Sequence, residues 1–375
     1  MMWDIPLFKM YWDDDDIAAV SNTIRSGMSW AAGPDVSVFE QEIAHYIGTN
    51  YCLTFNSGTS ALHAALIAYN IGKNDEVIVP SFTFIATANA PLFVGAKPVF
   101  ADIEDITFGL DPTDVNEKIT KKTKAIIPVH YGGFPCRIRE LREIADDNHL
   151  LLIEDAAESF GAKVRNQMTG SFGDSAMVSF CQNKIITTGE GGAIVTNSRE
   201  LYEKMKLLRS HGRLETADYF STTAPMDYVT LGYNFRISSI TAALGRSQLR
   251  KVEKIISQRR SDAQYYSQCL RSFKTAITIP EIPDDYFSVY QLFSILAKKR
   301  DDLMKYLAGK GIMTKIYFSP VHETHFYQKI LGYTCSLPIT EKISKEIISL
   351  PFYPGITKEE MGRVVESISA FYGDA

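Results

Sequence analysis

Lys184 sits between two strand-like runs, SAMVSF before it and GGAIVTN after it, and Gly189, Glu190, Gly191 and Gly192 follow closely. A primary amine in that position can attack a carbonyl if neighbouring groups give it a partner; otherwise it is a solvated loop cation. Three other stretches carry groups of a matching kind. In LTFNSGTSALHAAL, an apolar run reaches Ser57, Gly58, Thr59 and Ser60 just before an alanine-rich helical pattern. Free N–H groups at a helix start, with hydroxyls beside them, form a phosphate cradle. The same serines and threonine are also ordinary helix caps. LLLIEDAAES closes an apolar run with Glu154 and Asp155, so Asp155 either emerges at a strand end or caps a helix over AAESFG. In PSFTFIAT, Phe82 and Phe84 lie just past another such run, as core or as an aromatic face for a flat ligand.

Each piece alone has a plain structural reading, but the combination is more specific. A phosphate cradle, an aromatic face, an aspartate and a lysine follow in that chain order, each at the end of a separate strand. Those are the parts that a pyridoxal 5'-phosphate site needs. The lysine forms the Schiff base, and the aspartate keeps the pyridine nitrogen protonated so that the ring can accept electrons.

The elements that must position these groups can be read from the pattern. From Tyr51 to about Asn197, Val- and Ile-rich runs (YCLTF, EVIVP, KPVFAD, KAIIPVH, LLLIED, SAMVSF, GAIVT) alternate with helical patterns. This predicts an α/β domain whose largely parallel sheet is covered on both faces, with ligands at the carboxyl ends of the strands. The amphipathic stretch from Ile237 to Phe273 has no strand signal and predicts a long connecting helix. Beyond it, SVYQLFSILA and TKIYFS read as strands, and RDDLMKYLAGKG and KEEMGRVVESISAFYG as helices, of a smaller α+β domain. The expected division is 1–245 for the large domain with its N-terminal segment and 246–375 for the small one. The acidic run Asp13 to Asp16 reads as the start of a helix, where the dipole favours carboxylates.

Composition narrows the function classes. The 375 residues suit about two domains, and 45% hydrophobic with 22% charged residues is the balance of a globular protein. A net charge of −5 without a basic stripe argues against nucleic acid. The five scattered cysteines form no C-x-x-C pair and read as reduced thiols rather than as disulfides or a zinc site. His322 and His325 in HETH have no evident third ligand, so no metal site is expected. GEGG precedes a strand rather than a helix, unlike a dinucleotide loop, and its glycines read as a tight turn. With no signal-like start and no apolar run of membrane-spanning length, neither a membrane nor export is expected, and the expected location is the cytoplasm.

The motifs GPDVSVFEQEIAHYIG, NSGTSALHAAL, VPSFTFIATANA, VHYGG, IEDAAESFG, SFGDSAMVSF, GEGGAIVTN and LGYNFRISSITAALGRSQL extend over nearly the whole chain. In them the sequence resembles the DegT-type sugar-nucleotide aminotransferases, fold-type I enzymes that use pyridoxal phosphate. The resemblance implies a seven-stranded mixed sheet with a small C-terminal domain. It also implies roles: Lys184 as the cofactor-linking lysine, Asp155 on the pyridine nitrogen, and Glu158 near the ring O3', where many relatives carry glutamine. Phe84 would stack on the ring, Ser57, Gly58, Thr59 and Ser179 would hold the phosphate, and Asn234 would reach it from a neighbouring subunit of a homodimer. Tyr317 and His322 would lie by the substrate, His322 near its diphosphate. The family's dehydratase branch has histidine in place of the lysine, so Lys184 favours transamination. IEDAAES and NKIITTGEGG look most like the C4 aminotransferases of nucleotide-linked 4-keto-6-deoxy sugars, such as GDP-perosamine synthase, which serve deoxyamino-sugar biosynthesis for surface polysaccharide with glutamate as donor. Aminotransferases acting at C3, and PLP-dependent sugar dehydratases, share most of these motifs.

Overall fold

The computed structural model describes residues 3–214, 223 and 225–373. Its centre is a seven-stranded sheet built from β1 (Tyr51–Phe55), β2 (Glu76–Pro80), β3 (Lys97–Ala101), β4 (Thr123–Ile126) and β5 (Leu151–Asp155). A short ribbon, β6 (Lys163–Val164) and β7 (Gln167–Met168), precedes the last two strands of that sheet, β8 (Ser175–Ser179) and β9 (Gly192–Thr196). The spatial order is β1-β9-β8-β5-β4-β2-β3. Only β9 runs against its neighbours; the other six strands are mutually parallel. This is the mixed sheet that the motifs imply. The strands are buried on both faces, which is why they read as continuous apolar runs rather than as alternating ones.

Side-chain alternation divides the core into two layers. Leu53, Phe55, Val77, Val79, Ile153, Met177 and Ile194 meet helices Gly58–Ala68, Ile85–Phe93 and Arg199–Arg209 on one face. Cys52, Ala176, Val178, Ala193 and Val195 face the other way, towards helices Pro34–Ile47 and Ser239–Leu249.

The connecting stretch is broken once. Helix Ser239–Leu249 stops, helix Val252–Leu270 follows, and a 3-10 turn spans Arg271–Phe273. The second helix carries Val252, Ile255 and Ile256 into the large-domain core, and Ala263, Tyr266 and Leu270 into a separate core. That second core lies under a three-stranded antiparallel sheet of β10 (Ile277–Thr278), β12 (Phe293–Ala297) and β13 (Ile347–Leu350). Between them in the chain, β11 (Tyr286–Phe287) joins the β6–β7 ribbon instead. Two sequence expectations change here. TKIYFS is not a strand: it pairs only at Lys315 with Ser349, and then runs into Pro320, which has no N–H for a ladder. The first residues of the N-terminal segment pack with the small domain, since Met313 N–H donates to Ile5 O at 2.9 Å and Phe352 N–H donates to Leu7 O at 2.9 Å, while Gln248 of the connecting stretch donates to Tyr11 O at 3.1 Å. The acidic run does start a helix: Asp13 caps Asp14–Arg25 in a capping box with Asp16, and Lys251 Nζ lies 2.9 Å from Asp16.

The start of β9 touches the start of helix Gly58–Ala68 so closely that a Cβ on Gly192 would lie 2.5 Å from Gly58 N and 2.7 Å from Gly58 Cα. Both obstacles are backbone and cannot rotate away. Gly192→Ala is therefore expected to lower unfolding free energy by about 1–3 kcal/mol. Gly309→Ala, at the end of a helix with nothing within 4 Å, should be neutral or mildly stabilising. Equal denaturant midpoints for the two variants would contradict this packing.

Candidate active site

Ser57, Gly58, Thr59, Phe84, Asp155, Glu158, Ser179, Lys184 and Tyr317 line one cavity of about 350 Å3 at the carboxyl ends of β1, β5 and β8. Their arrival there follows from the strand period. In β5 the odd positions Ile153 and Asp155 face helices Gly58–Ala68 and Ile85–Phe93, so Asp155 points into the cavity. Its neighbour Glu154, one residue earlier, points to the opposite face. There its carboxylate accepts three backbone N–H groups, from Gly170, Phe172 and Gly173, each at 2.7 Å, and lies 2.9 Å from His130 Nε2. Cys136 N–H donates to His130 Nδ1, so the ring nitrogen facing Glu154 carries the proton. Of two adjacent acids, one anchors a loop and one is left for the cavity.

Asp155 is held rather than free. Thr87 Oγ1 donates to its Oδ2 at 2.7 Å, Ala157 N–H donates to its Oδ1 at 3.1 Å, and Thr83 lies 2.9 Å behind Thr87. No helix follows Asp155; the Ala157 bond closes a turn, so the alternative cap reading of AAESFG does not apply. Burial pushes the carboxyl above its usual range, while the Thr87 hydroxyl, the Ala157 N–H and the Lys184 charge pull it back. Lys184 Nζ lies 3.3 Å from Glu158 Oε1, whose other oxygen accepts Gly132 N–H at 2.8 Å. The chain turns after Lys184 at Gly189, whose φ of 82° suits glycine, before entering β9.

At the Ser57 turn the cap is present, and it leaves donors over for the other reading. Ser57 caps the helix by accepting Ser60 N–H at 3.1 Å, while Gly58 and Thr59, at the first two helical positions, have no acceptor within the helix. A Cβ on Gly58 would meet Met177 Sδ at 2.7 Å, so a larger residue there would have to push the methionine side chain aside. Phe82 and Phe84 divide in the same way: Phe82 is fully buried, whereas Phe84 is 61% exposed at the cavity. Two expected residues lie elsewhere. Asn234 is exposed and outside its own chain's cavity, with its carbonyl 3.4 Å from Asn56 Nδ2. His322 is buried and tied to Ser81 Oγ at 2.7 Å, so it braces a 3-10 turn and does not face the cavity. Among the described residues, the ligand atoms of His322, Glu323 and Glu341 gather within 4.8 Å of one another, but His325 does not join them.

The sequence reading missed Thr83, Thr87, Asn183 and Lys315, all of which line the cavity. Thr87 had a signal: it lies three residues after Phe84, one helical turn further along. Lys315 had none, because it comes from the small domain. The donor set fits pyridoxal phosphate. It offers an amine, a buried carboxylate already held by two donors, unpaired N–H groups at a helix start with Ser179 opposite, and an exposed ring. The Thr87 bond favours the charged form of Asp155, so its loss should leave desolvation less opposed. In Thr87→Val the Asp155 carboxyl should titrate at higher pH, read from its 13C resonance, and Thr87→Ser should restore the original curve. Identical titrations in all three proteins would rule out this role.

The DegT/DnrJ/EryC1/StrS aminotransferase family model matches residues 11–369. The chain is 35% identical to the GDP-perosamine synthase of Escherichia coli O157:H7 over 373 residues, covering 99% of each. Among solved structures it is similar to DesV of S. venezuelae in complex with a ketimine intermediate, at 32% identity and a TM-score of 0.90, covering 99% of each chain. It is also similar to the putative sugar aminotransferase Spr1654 of Streptococcus pneumoniae in its PMP form, at 26% identity and a TM-score of 0.92, covering 98% of each. With this match along its length and a cavity built around Lys184 and Asp155, the chain belongs to the DegT/DnrJ/EryC1/StrS family of sugar aminotransferases, and its cofactor is pyridoxal 5'-phosphate.

Proposed function

We propose that the enzyme moves an amino group from L-glutamate to a nucleotide-linked 4-keto-6-deoxy sugar, as a step in making a deoxyamino sugar for surface polysaccharide. The observation that carries this reading is the meeting of Lys184, Asp155 and the Ser57–Gly58–Thr59 turn in one cavity. Full-length likeness to a GDP-perosamine synthase supports the 4-keto sugar. The work is assigned to the cytoplasm, in keeping with five free cysteines and, among the described residues, no helix long and apolar enough to cross a membrane.

The bound cofactor supplies an electron sink for a carbon that must lose a proton. Lys184 would be the covalent attachment point and, once released, the base that takes that proton from the donor's α-carbon and returns it to the carbon across the nitrogen. Glu158, 3.3 Å from Lys184 Nζ, orients the amine through a bond that Gly132 N–H steadies from behind. Asp155, fixed by Thr87 and Ala157, holds the proton on the ring nitrogen. Gly58, Thr59 and Ser179 bind the phosphate without a formal charge, by N–H and hydroxyl donors at a helix start. Phe84, exposed at the cavity, would cover one face of the ring. Glutamate alone should convert the visible absorption of the holoenzyme into that of the amino form of the cofactor, with no sugar present. Lys184→Ala should slow this half reaction by about 10²–10⁴-fold, the range for loss of a positioned base, while keeping the fold. If no amino acid brings about the conversion while a keto sugar is still consumed, the dehydratase reading takes over.

A homodimer with shared sites accounts for two further features. Asn234 lies outside its own cavity, and large apolar side chains stay exposed on the chain, including Trp12 at 65%, Met28 at 75% and Leu231 at 78%. Mixing inactive Lys184→Ala and Asn234→Ala subunits should recover part of the activity, because one site in each mixed dimer keeps both residues. A fully active monomer in sedimentation runs would rule the arrangement out.

A further inference from the structure

The active-site cavity has an imbalance of charge. Among the described residues its lining carries the carboxylates Asp155, Glu158 and Glu190, and two lysines, Lys184 and Lys315. Lys184 is engaged with Glu158 at 3.3 Å. Lys315 forms no ion pair within 4.0 Å with any described carboxylate; its Nζ lies 4.9 Å from the centre of the Tyr317 ring. Its root is fixed: Lys315 N–H donates to Ser349 O at 3.2 Å, and Lys315 O accepts Ser349 N–H at 2.8 Å. Ser349 is fully buried in β13, and its Oγ is 2.8 Å from Ser294 Oγ on β12. The small domain thus holds out an exposed ammonium group over a cavity formed mainly by the large domain.

A glutamate donor must bring carboxylates into this acidic space, and like charges at such separations oppose entry. We propose that Lys315 is the anion anchor of the cavity and binds the α-carboxylate of the amino donor. The inference rests on the aminotransferase reading with an amino-acid donor. Lys315 shares the cavity with Lys184, and the donor's α-carboxylate is attached to the same carbon as the amine that reacts there. The diphosphate of a nucleotide sugar is separated from its reacting carbonyl by the sugar ring. The cofactor phosphate has its own neutral cradle at Gly58, Thr59 and Ser179. Stacking on Tyr317 holds the ammonium group in place and still leaves its N–H donors free for a charge-assisted bond.

The test uses holoenzyme and the variants Lys315→Met and Lys315→Arg, with glutarate as an unreactive dicarboxylate probe. Glutarate binding is followed by calorimetry, and the glutamate dependence of the half reaction by stopped-flow absorbance. Lys315→Met should weaken glutarate binding and raise the half-saturating glutamate concentration by about tenfold, the scale of one charge-assisted hydrogen bond. Lys315→Arg should stay close to the parent. Cofactor content and GDP binding should be unchanged in both variants, which also reports that they fold. Unchanged glutarate affinity in Lys315→Met, or a parent enzyme that does not bind glutarate, overturns the proposal. A loss confined to GDP binding would assign Lys315 to the diphosphate, and a loss of cofactor would assign it to the phosphate; either also overturns it. Failure of the donor reading looks different: glutarate binds through Lys315, but no amino acid converts the cofactor.

Discussion

The two-residue period of β5 is the constraint on which the rest of the site depends. Glu154 and Asp155 are adjacent, yet the pleat sends them to opposite faces of the sheet. On one side Glu154 is fully buried, and four hydrogen-bond partners compensate its desolvation. On the other, Asp155 has, among the described residues, only Thr87 and Ala157 as donors to its carboxylate, so part of its bonding capacity is left over for a ligand. A slip of β5 by one residue would exchange the two acids and lose both functions. Its parallel pairing to β8, with Asp155 opposite Met177, keeps that register and sets the strand that leads to Ser179 and Lys184.

The Ser57–Gly58–Thr59 end of the cavity depends on a second constraint, closeness. Gly58 sits on the Met177 side chain of β8, and the backbone of Gly192 sits directly on that of Gly58, so the helix start is lowered onto β9 with no side chain between them. The helix behind it, Arg199–Arg209, and helix Pro34–Ile47 on the opposite face are tied together at the edge strand. Glu40 accepts both Thr54 N–H and Thr54 Oγ1 at 2.8 Å and pairs with Arg209, whose Nη1 also donates to Thr54 O at 2.9 Å. Removing either member of such a buried pair costs about 3–5 kcal/mol, because the remaining charge is left uncompensated. The network fixes β1, and with it the turn that follows at Ser57.

The third wall belongs to the small domain. Lys315, Tyr317 and Phe318 reach the cavity from a segment that pairs once with β13, and Tyr131 Oη donates to Tyr317 O at 2.6 Å to hold it against the large domain. Gln291 donates to Asn183 O, next to Lys184, so the small domain also touches the loop that carries the amine. Helix Val252–Leu270, with residues in both cores, couples the two bodies.

What the sequence determined by itself was everything written into a local pattern. The strands of the central sheet were legible because burial on both faces makes them unbroken apolar runs, and three of them, β1, β2 and β9, begin and end where those runs do. Lys184, Asp155 and the Ser57–Gly58–Thr59 turn were legible because each sits at the end of such a run. β13 was not, since IISL follows helix Pro338–Glu346 with no break and its apolar residues merge with the helical pattern. Only the tertiary structure decided what alternation and long-range packing decide: that Asp155 and not Glu154 faces the cavity, that Phe82 is core and Phe84 is not, that His322 braces Ser81, and that Lys315 crosses from another domain. These depend on which face a side chain takes and on contacts between distant segments, and neither is encoded in the composition of the segment alone.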